Sequence, residues 1–149
     1  MKKKIIIVAA SLLTVGLISG LAILLVGFDV FPHDQFDKRL RAAIDTHRGG
    51  VVKISDISHF SWDRMYVFPP YSQAVGVNGE KIYVDEGCCV LLFKEKGKTI
   101  YHLTFNRRFG DFSGEHREEG YTPEEALFSV EDGGHKYWPH LKWVQKKAA

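Results

Sequence analysis

Ser61–Ser72 reads S-W-D-R-M-Y-V-F-P-P-Y-S, and its phase decides how the chain folds. As an extended strand it sets Trp62, Arg64, Tyr66 and Phe68 on one face and Asp63, Met65 and Val67 on the other. Pro69 and Pro70 then remove two backbone donors, which ends any ladder and sends Tyr71 and Ser72 away from the sheet. Such a strand carries core on one face and polar groups on the other. Asp63 and Arg64 are chain neighbours and point to opposite faces, so each must find its own partner or cap a neighbouring turn.

The strands that can pair with this one lie C-terminal to it. Cys88–Phe93 is a continuous apolar run of strand length, fit for a central position. Lys94–Lys98 is a charged turn, and Thr99–Asn106 alternates Tyr101, Leu103 and Phe105 against Ile100, His102 and Thr104. The two strands read as an antiparallel hairpin. A second hairpin is signalled by Asn78-Gly79 between Val75-Gly76-Val77 and Ile82-Tyr83-Val84, with Asp85-Glu86-Gly87 as the following turn. Val51–Ile57 reads as a further strand.

Two helices complete the pattern. Asp34 is placed to cap the first, with Asp37 in its opening turn. Phe36, Leu40, Ala43, Ile44 and His47 form one face from about Gln35 to Arg48, and Gly49-Gly50 ends it. Thr122-Pro123-Glu124-Glu125 predicts a second helix start, running to about Val130 or Glu131. Arg107–Gly120 is polar and glycine-bearing and reads as a mobile surface loop, while Tyr137, Trp138, Leu141 and Trp143 tie the C-terminal tail to the domain.

The N-terminal end sets the address. Lys2, Lys3 and Lys4 precede an uncharged run from Ile5 to Phe28. Its 24 residues make about 36 Å of helix, enough to cross a bilayer core. With the lysines held on the cytoplasmic side, the domain lies outside. The expected organisation is an uncleaved signal-anchor segment over residues 1–28 and an extracytoplasmic α+β domain over 29–149. That domain should be a small antiparallel sheet of four to six strands with two short helices. A cleaved signal peptide ending near Gly20-Leu21-Ala22 is the competing reading, and the apolar Ile23–Val26 directly after it is poor context for cleavage.

The W-D-R-M-Y-V-F-P-P-Y segment resembles the W-D-x-x-Y-x-F-x-P-Y signature of small bacterial exported proteins, either lipoproteins or single-span membrane proteins. That resemblance implies an envelope location and a fold family. It carries over no catalytic residue. No cysteine lies near the end of the apolar run, which departs from the lipoprotein members.

Composition narrows the function. Removing Lys2–Lys4 from the 20 basic residues leaves 17 against 18 acidic ones, so the domain has no basic excess and nucleic acid is not an expected partner. The seven histidines lack H-x-x-x-H or H-E-x-x-H spacing, and neither a metal nor another cofactor is expected. G-x-S-x-G and S-x-x-K are both absent, so no catalytic residue is assigned. Of 19 Phe, Tyr and Trp only Phe28 falls in the apolar run, which leaves an aromatic-rich domain suited to protein recognition.

The leading expectation is a non-enzymatic binding or accessory module on the outer face of the cytoplasmic membrane. It would be held there by Ile5–Phe28 and would meet a protein partner as immunity or envelope-assembly factors do. Trp62, Asp63, Arg64, Tyr66, Tyr71, Trp138 and Trp143 are the candidate binding residues. Two alternatives stand beside it. One is a small envelope hydrolase using Asp63 or the His116/Glu118 loop. The other is a thiol sensor at Cys88-Cys89, although adjacent strand cysteines point to opposite faces and bridge only with strain.

Overall fold

The computed structural model describes residues 35–133 and 138–145. The expected span Ile5–Phe28, the Asp34 cap, His135 and Tyr137 lie outside the described residues. Among the described residues, no helix is long and apolar enough to cross a membrane.

The fold is α+β. Helix α1 (Phe36–Thr46) buries Phe36, Leu40 and Ile44, one residue per turn along a single stripe. It ends a little earlier than the spacing predicts. His47 caps it and is exposed rather than on the buried face, with its Nδ1 at 2.8 Å from the Ala43 carbonyl. Gly49 then takes a φ of +74° and donates its N–H to the Val130 carbonyl, which ties the helix exit to the sheet beneath.

Val51–Ile57 does not continue as one strand. It splits into β1 (Val51–Lys53) and a short helix α2 (Ile54–Ser58). Strand alternation fits only as far as Ile54, beyond which Ile54, Ile57 and Ser58 form a helical stripe at spacings of three and one. Ile54 and Ser58 are buried and Ile57 packs on the core. Arg39 reaches from α1 to the Ile57 and Ser58 carbonyls at 2.8 and 3.2 Å, satisfying acceptors that a helix end leaves open.

Three antiparallel sheets follow. The first has the order β2 (Arg64–Phe68), β5 (Cys88–Glu95), β6 (Lys98–Asn106), with the apolar β5 run central as expected. Lys96 and Gly97 close the β5–β6 hairpin with φ of +51° and +78°, the left-handed pair that a two-residue type I′ turn requires. The second sheet is a hairpin of β3 (Gln73–Val75) and β4 (Lys81–Tyr83). Its connection is longer than the expected Asn78-Gly79 pair. Gly76 donates to the Glu80 carbonyl around Val77, Asn78 and Gly79, and Gly79 has φ +78°.

The third sheet has the order β1, β7 (Leu127–Asp132), β8 (Pro139–Trp143) and corrects the second predicted helix. The capping box forms as its sequence demands. Thr122 N–H donates to Glu125 Oε2 at 3.0 Å, and Glu125 N–H to Thr122 Oγ1 at 3.3 Å. It closes one turn only. Phe128 and Val130 then alternate into the core, and β1 and β8 pair on the two sides of β7. Nonlocal pairing overrides the local helix signal. The described residues thus hold eight strands in three sheets, where one sheet of four to six strands was expected, with two α-helices, the second of them α2, and one 3-10 turn over Arg107–Phe109.

One aromatic-rich core joins α1 to the two three-stranded sheets. Phe36 stands edge-on to Phe93 at 5.4 Å, and Tyr121 edge-on to Phe128 at 5.3 Å. A smaller cluster of Ala74, Val84, Val90 and Leu92 lies on the far face of β5, beneath the β3–β4 hairpin. Arg107–Gly120, expected as a mobile surface loop, is pinned at both ends. Asp111 and Phe112 are buried, and Asp111 exchanges backbone hydrogen bonds with Pro139 and Leu141 of β8.

Candidate functional site

The far face of the β2–β5–β6 sheet is only partly covered, and the uncovered part is a groove. Its floor follows from register. Tyr66 lies opposite Leu92, which lies opposite His102; Arg64 lies opposite Lys94, which lies opposite Thr99. Tyr66, Phe68 and Leu92 make the floor, Val75 and Gln73 of the β3–β4 hairpin form one wall, and His116, Arg117 and Glu118 form the other. The cavity measures about 440 Å³, within the range of pockets that hold small ligands.

The second wall is held in place by backbone. Tyr121 N–H donates to the Met65 carbonyl and Met65 N–H to the Tyr121 carbonyl, both at 2.8 Å. Gly120 makes that approach at φ +68°, where an added Cβ would lie 2.8 Å from the Met65 oxygen. His116 reaches back over β2 with Nδ1 at 2.9 Å from the Val67 carbonyl. A carbonyl only accepts, so Nδ1 is the protonated nitrogen, and in the neutral ring Nε2 is left as an acceptor. The Lys94 ammonium stands 5.0 Å over the Tyr66 ring.

The seven candidate residues go to different places. Tyr66 lines the groove, as described. Trp62 does not share its face: the strand begins at Arg64, and the Trp62 indole turns into the core against Phe93 at 5.3 Å. Its Nε1 donates to Ser58 Oγ at 2.9 Å, so its polar atom is satisfied internally. Asp63 caps the β5–β6 turn by accepting from the Lys96 N–H, while its own N–H donates to the Lys94 carbonyl at 2.8 Å. Arg64 faces the Glu125 carboxylate at 4.0 Å. The Asp63 and Arg64 side chains thus have separate partners, as strand geometry requires.

Tyr71 is 80% exposed at φ +64° beyond the double proline and is not among the groove residues. Trp138 is 38% exposed, its ring 5.5 Å from the Arg107 guanidinium. Trp143 donates Nε1 to the Glu125 carbonyl at 2.8 Å and stacks 4.4 Å from the Arg117 guanidinium. It lines a second depression of about 300 Å³ with Arg117, Glu124 and Glu125. Arg117 separates the two depressions.

Sequence reasoning missed Phe68, Leu92, Lys94 and Val75 as site residues. The motif contains Phe68, and alternation within Cys88–Glu95 sets Val90, Leu92 and Lys94 on one face. The continuous apolar run concealed that alternation. His116 and Glu118, expected only as hydrolase candidates, both border the groove, whereas Asp63 does not. Cys88 packs on the far-face cluster and Cys89 in the main core, both free. Burial pushes the Cys89 thiol up to about 12. Among the described residues, no group of three or more His, Cys, Asp or Glu is arranged to hold a metal.

Protein-family models, curated proteins and solved structures provide no match to the chain.

Proposed function

We propose that this chain is a membrane-anchored binding module, held by Ile5–Phe28 on the outer face of the cytoplasmic membrane. In this reading its groove receives an apolar segment of a protein partner, in the manner of an immunity or envelope-assembly factor. The observation that carries it is the groove: an aromatic and aliphatic floor of Tyr66, Phe68 and Leu92 left open between the hairpin and the His116 wall. Grooves of this composition bind through a few apolar anchors, with polar groups at the edge setting orientation. The lysines before the apolar run and the resemblance to exported proteins support the address.

Two measurements test the proposal. Alkaline phosphatase fused after Ala149 should be active only if the domain is outside. A photo-crosslinking residue at Val75, in the full chain in its own membrane, should give a defined adduct that disappears on Phe68→Ala. The same probe at Asp56, exposed on α2, should give none. An inactive fusion removes the address, and identical adducts from both positions remove the groove.

A second reading, a small hydrolase, is favoured by one observation: the tautomer of His116 presents Nε2 as a base beside Glu118. Ester or peptide cleavage by the purified chain that is lost on His116→Gln would select it.

A further inference from the structure

We propose that the groove selects an apolar segment bearing a single carboxylate, and that this carboxylate sits on Lys94. The inference rests on the reading of the groove as a peptide-docking surface and names the chemistry of its occupant.

Two cations face each other at one end of the floor. Arg64 and Lys94 are direct cross-strand partners, an arrangement that costs stability unless each charge is answered. Arg64 is answered by Glu125 at 4.0 Å. Among the described residues, Lys94 has no carboxylate within ion-pair distance, and its ammonium stands over the Tyr66 ring face. It is half-buried at the groove lining, where a charge is weakly solvated and a counter-charge is worth more than on open surface. Across the groove Arg117 spends Nε and Nη2 on Glu119, and its Nη1 is buried without a hydrogen-bond partner. The unanswered Lys94 charge asks for an acceptor from outside the chain, whereas the enclosed Arg117 Nη1 is out of an incoming ligand's reach.

Glu118 sets the limit. It lines the same groove and does not pair with Lys94, so a polyanion would meet repulsion from one wall. One carboxylate beside apolar side chains satisfies Lys94, covers Tyr66, Phe68 and Leu92, and leaves Glu118 in solvent. A lone anion has nothing to lay on the floor, and a wholly apolar peptide strips water from Lys94 without replacing it.

The test uses the full chain in nanodiscs and dansyl-labelled peptides of four leucines around one central residue. With glutamate at the centre the peptide should bind, and glutamine or lysine there should weaken it about tenfold. Lys94→Gln should remove the preference, and Lys94→Glu should transfer it to the lysine peptide. Three glutamates should bind less well than one. If the glutamate, glutamine and lysine peptides bind alike, or if Lys94→Glu leaves the order unchanged, the carboxylate assignment falls while the groove stands. If none of the peptides binds, the groove is not a peptide site and both readings fall.

Discussion

Arg107 grips Asp111 at two points, Nε to Oδ1 at 3.0 Å and Nη2 to Oδ2 at 2.7 Å. Arg107 follows directly on β6, while the backbone of Asp111 bonds to β8, so the pair clamps one three-stranded sheet to the other. Arg107 Nη1 also donates to the Glu86 carbonyl, and the Ser113 N–H donates to Asp111 Oδ1. Burial alone would raise the Asp111 carboxyl, but the hydrogen bonds from Arg107 and Ser113 outweigh it and hold the group below its ordinary value. A depressed carboxyl stabilises the fold fully above the unfolded value of about 3.9 and loses that share as pH falls through the folded value. Arg107→Met leaves the Asp111 charge buried and should cost about 3 kcal/mol by urea titration at pH 7. Asp111→Asn should flatten the stability profile below about pH 4.

Trp62 is architecture. Truncating it to Ala opens the core beside Phe93 and removes the donor to Ser58 Oγ, which keeps its own bond to the Ser55 carbonyl, with an expected cost of about 3–5 kcal/mol. Peptide binding in the groove should be unchanged wherever the variant remains folded. Tyr66→Ala should behave in the opposite way, with a smaller loss of stability and a clear loss of binding. Equal binding losses for the two variants would place Trp62 in the site.

How much was legible beforehand follows from the range of each signal. The β5–β6 hairpin declares itself because the apolar β5 run, the alternation of β6 and the Lys96-Gly97 turn are all local. The α1 stripe of Phe36, Leu40 and Ile44 is equally local. Strand β7 was hidden because the Thr122–Glu125 box is a local helix start, whereas the partners that make Leu127–Asp132 a strand are Val51–Lys53 and Pro139–Trp143. The phase of Trp62 failed for a related reason. The alternation of Arg64, Tyr66 and Phe68 does not extend back to Trp62, because the β2 strand begins at Arg64. The groove was invisible because its second wall arrives through the Met65–Tyr121 bridge, a contact between residues far apart in sequence.

That bridge makes Gly120 sensitive. At φ +68° an alanine is strained, and its Cβ would press on the Met65 carbonyl at 2.8 Å. Gly120→Ala should cost about 1–3 kcal/mol and also weaken peptide binding by displacing the His116 wall. Gly114→Ala, where nothing lies within 4 Å, is the control and should be near neutral. Denaturant midpoints for the two variants check this directly.

The thiols should differ in reactivity. Cys89 is fully buried and its thiol is pushed up to about 12, so the reactive thiolate is scarce at neutral pH. Cys88 is half-buried on the opposite face of β5. Iodoacetamide on the native chain should label Cys88 slowly and Cys89 only at the rate of unfolding. Mass spectrometry under mild oxidation should find both thiols free. Rapid loss of both thiols together would revive the sensor.

Tyr71 is the residue whose position is hardest to explain by stability. It is 80% exposed and holds a left-handed φ of +64° that favours glycine. Its N–H donates to the Val84 carbonyl at 2.8 Å, a bond that glycine would keep. Tyr71→Gly should therefore raise the melting temperature, or leave it level once the greater freedom of the unfolded glycine is counted. Its hydroxyl shares a hydrogen bond with Glu86, and a tyrosine held 80% exposed on a left-handed backbone is a candidate for contact with the partner. The crosslinked adduct formed through Val75 should therefore weaken in Tyr71→Gly while the melting temperature does not fall. If the adduct is undiminished, Tyr71 is only the exit from Pro69-Pro70, and the partner is held by the groove alone.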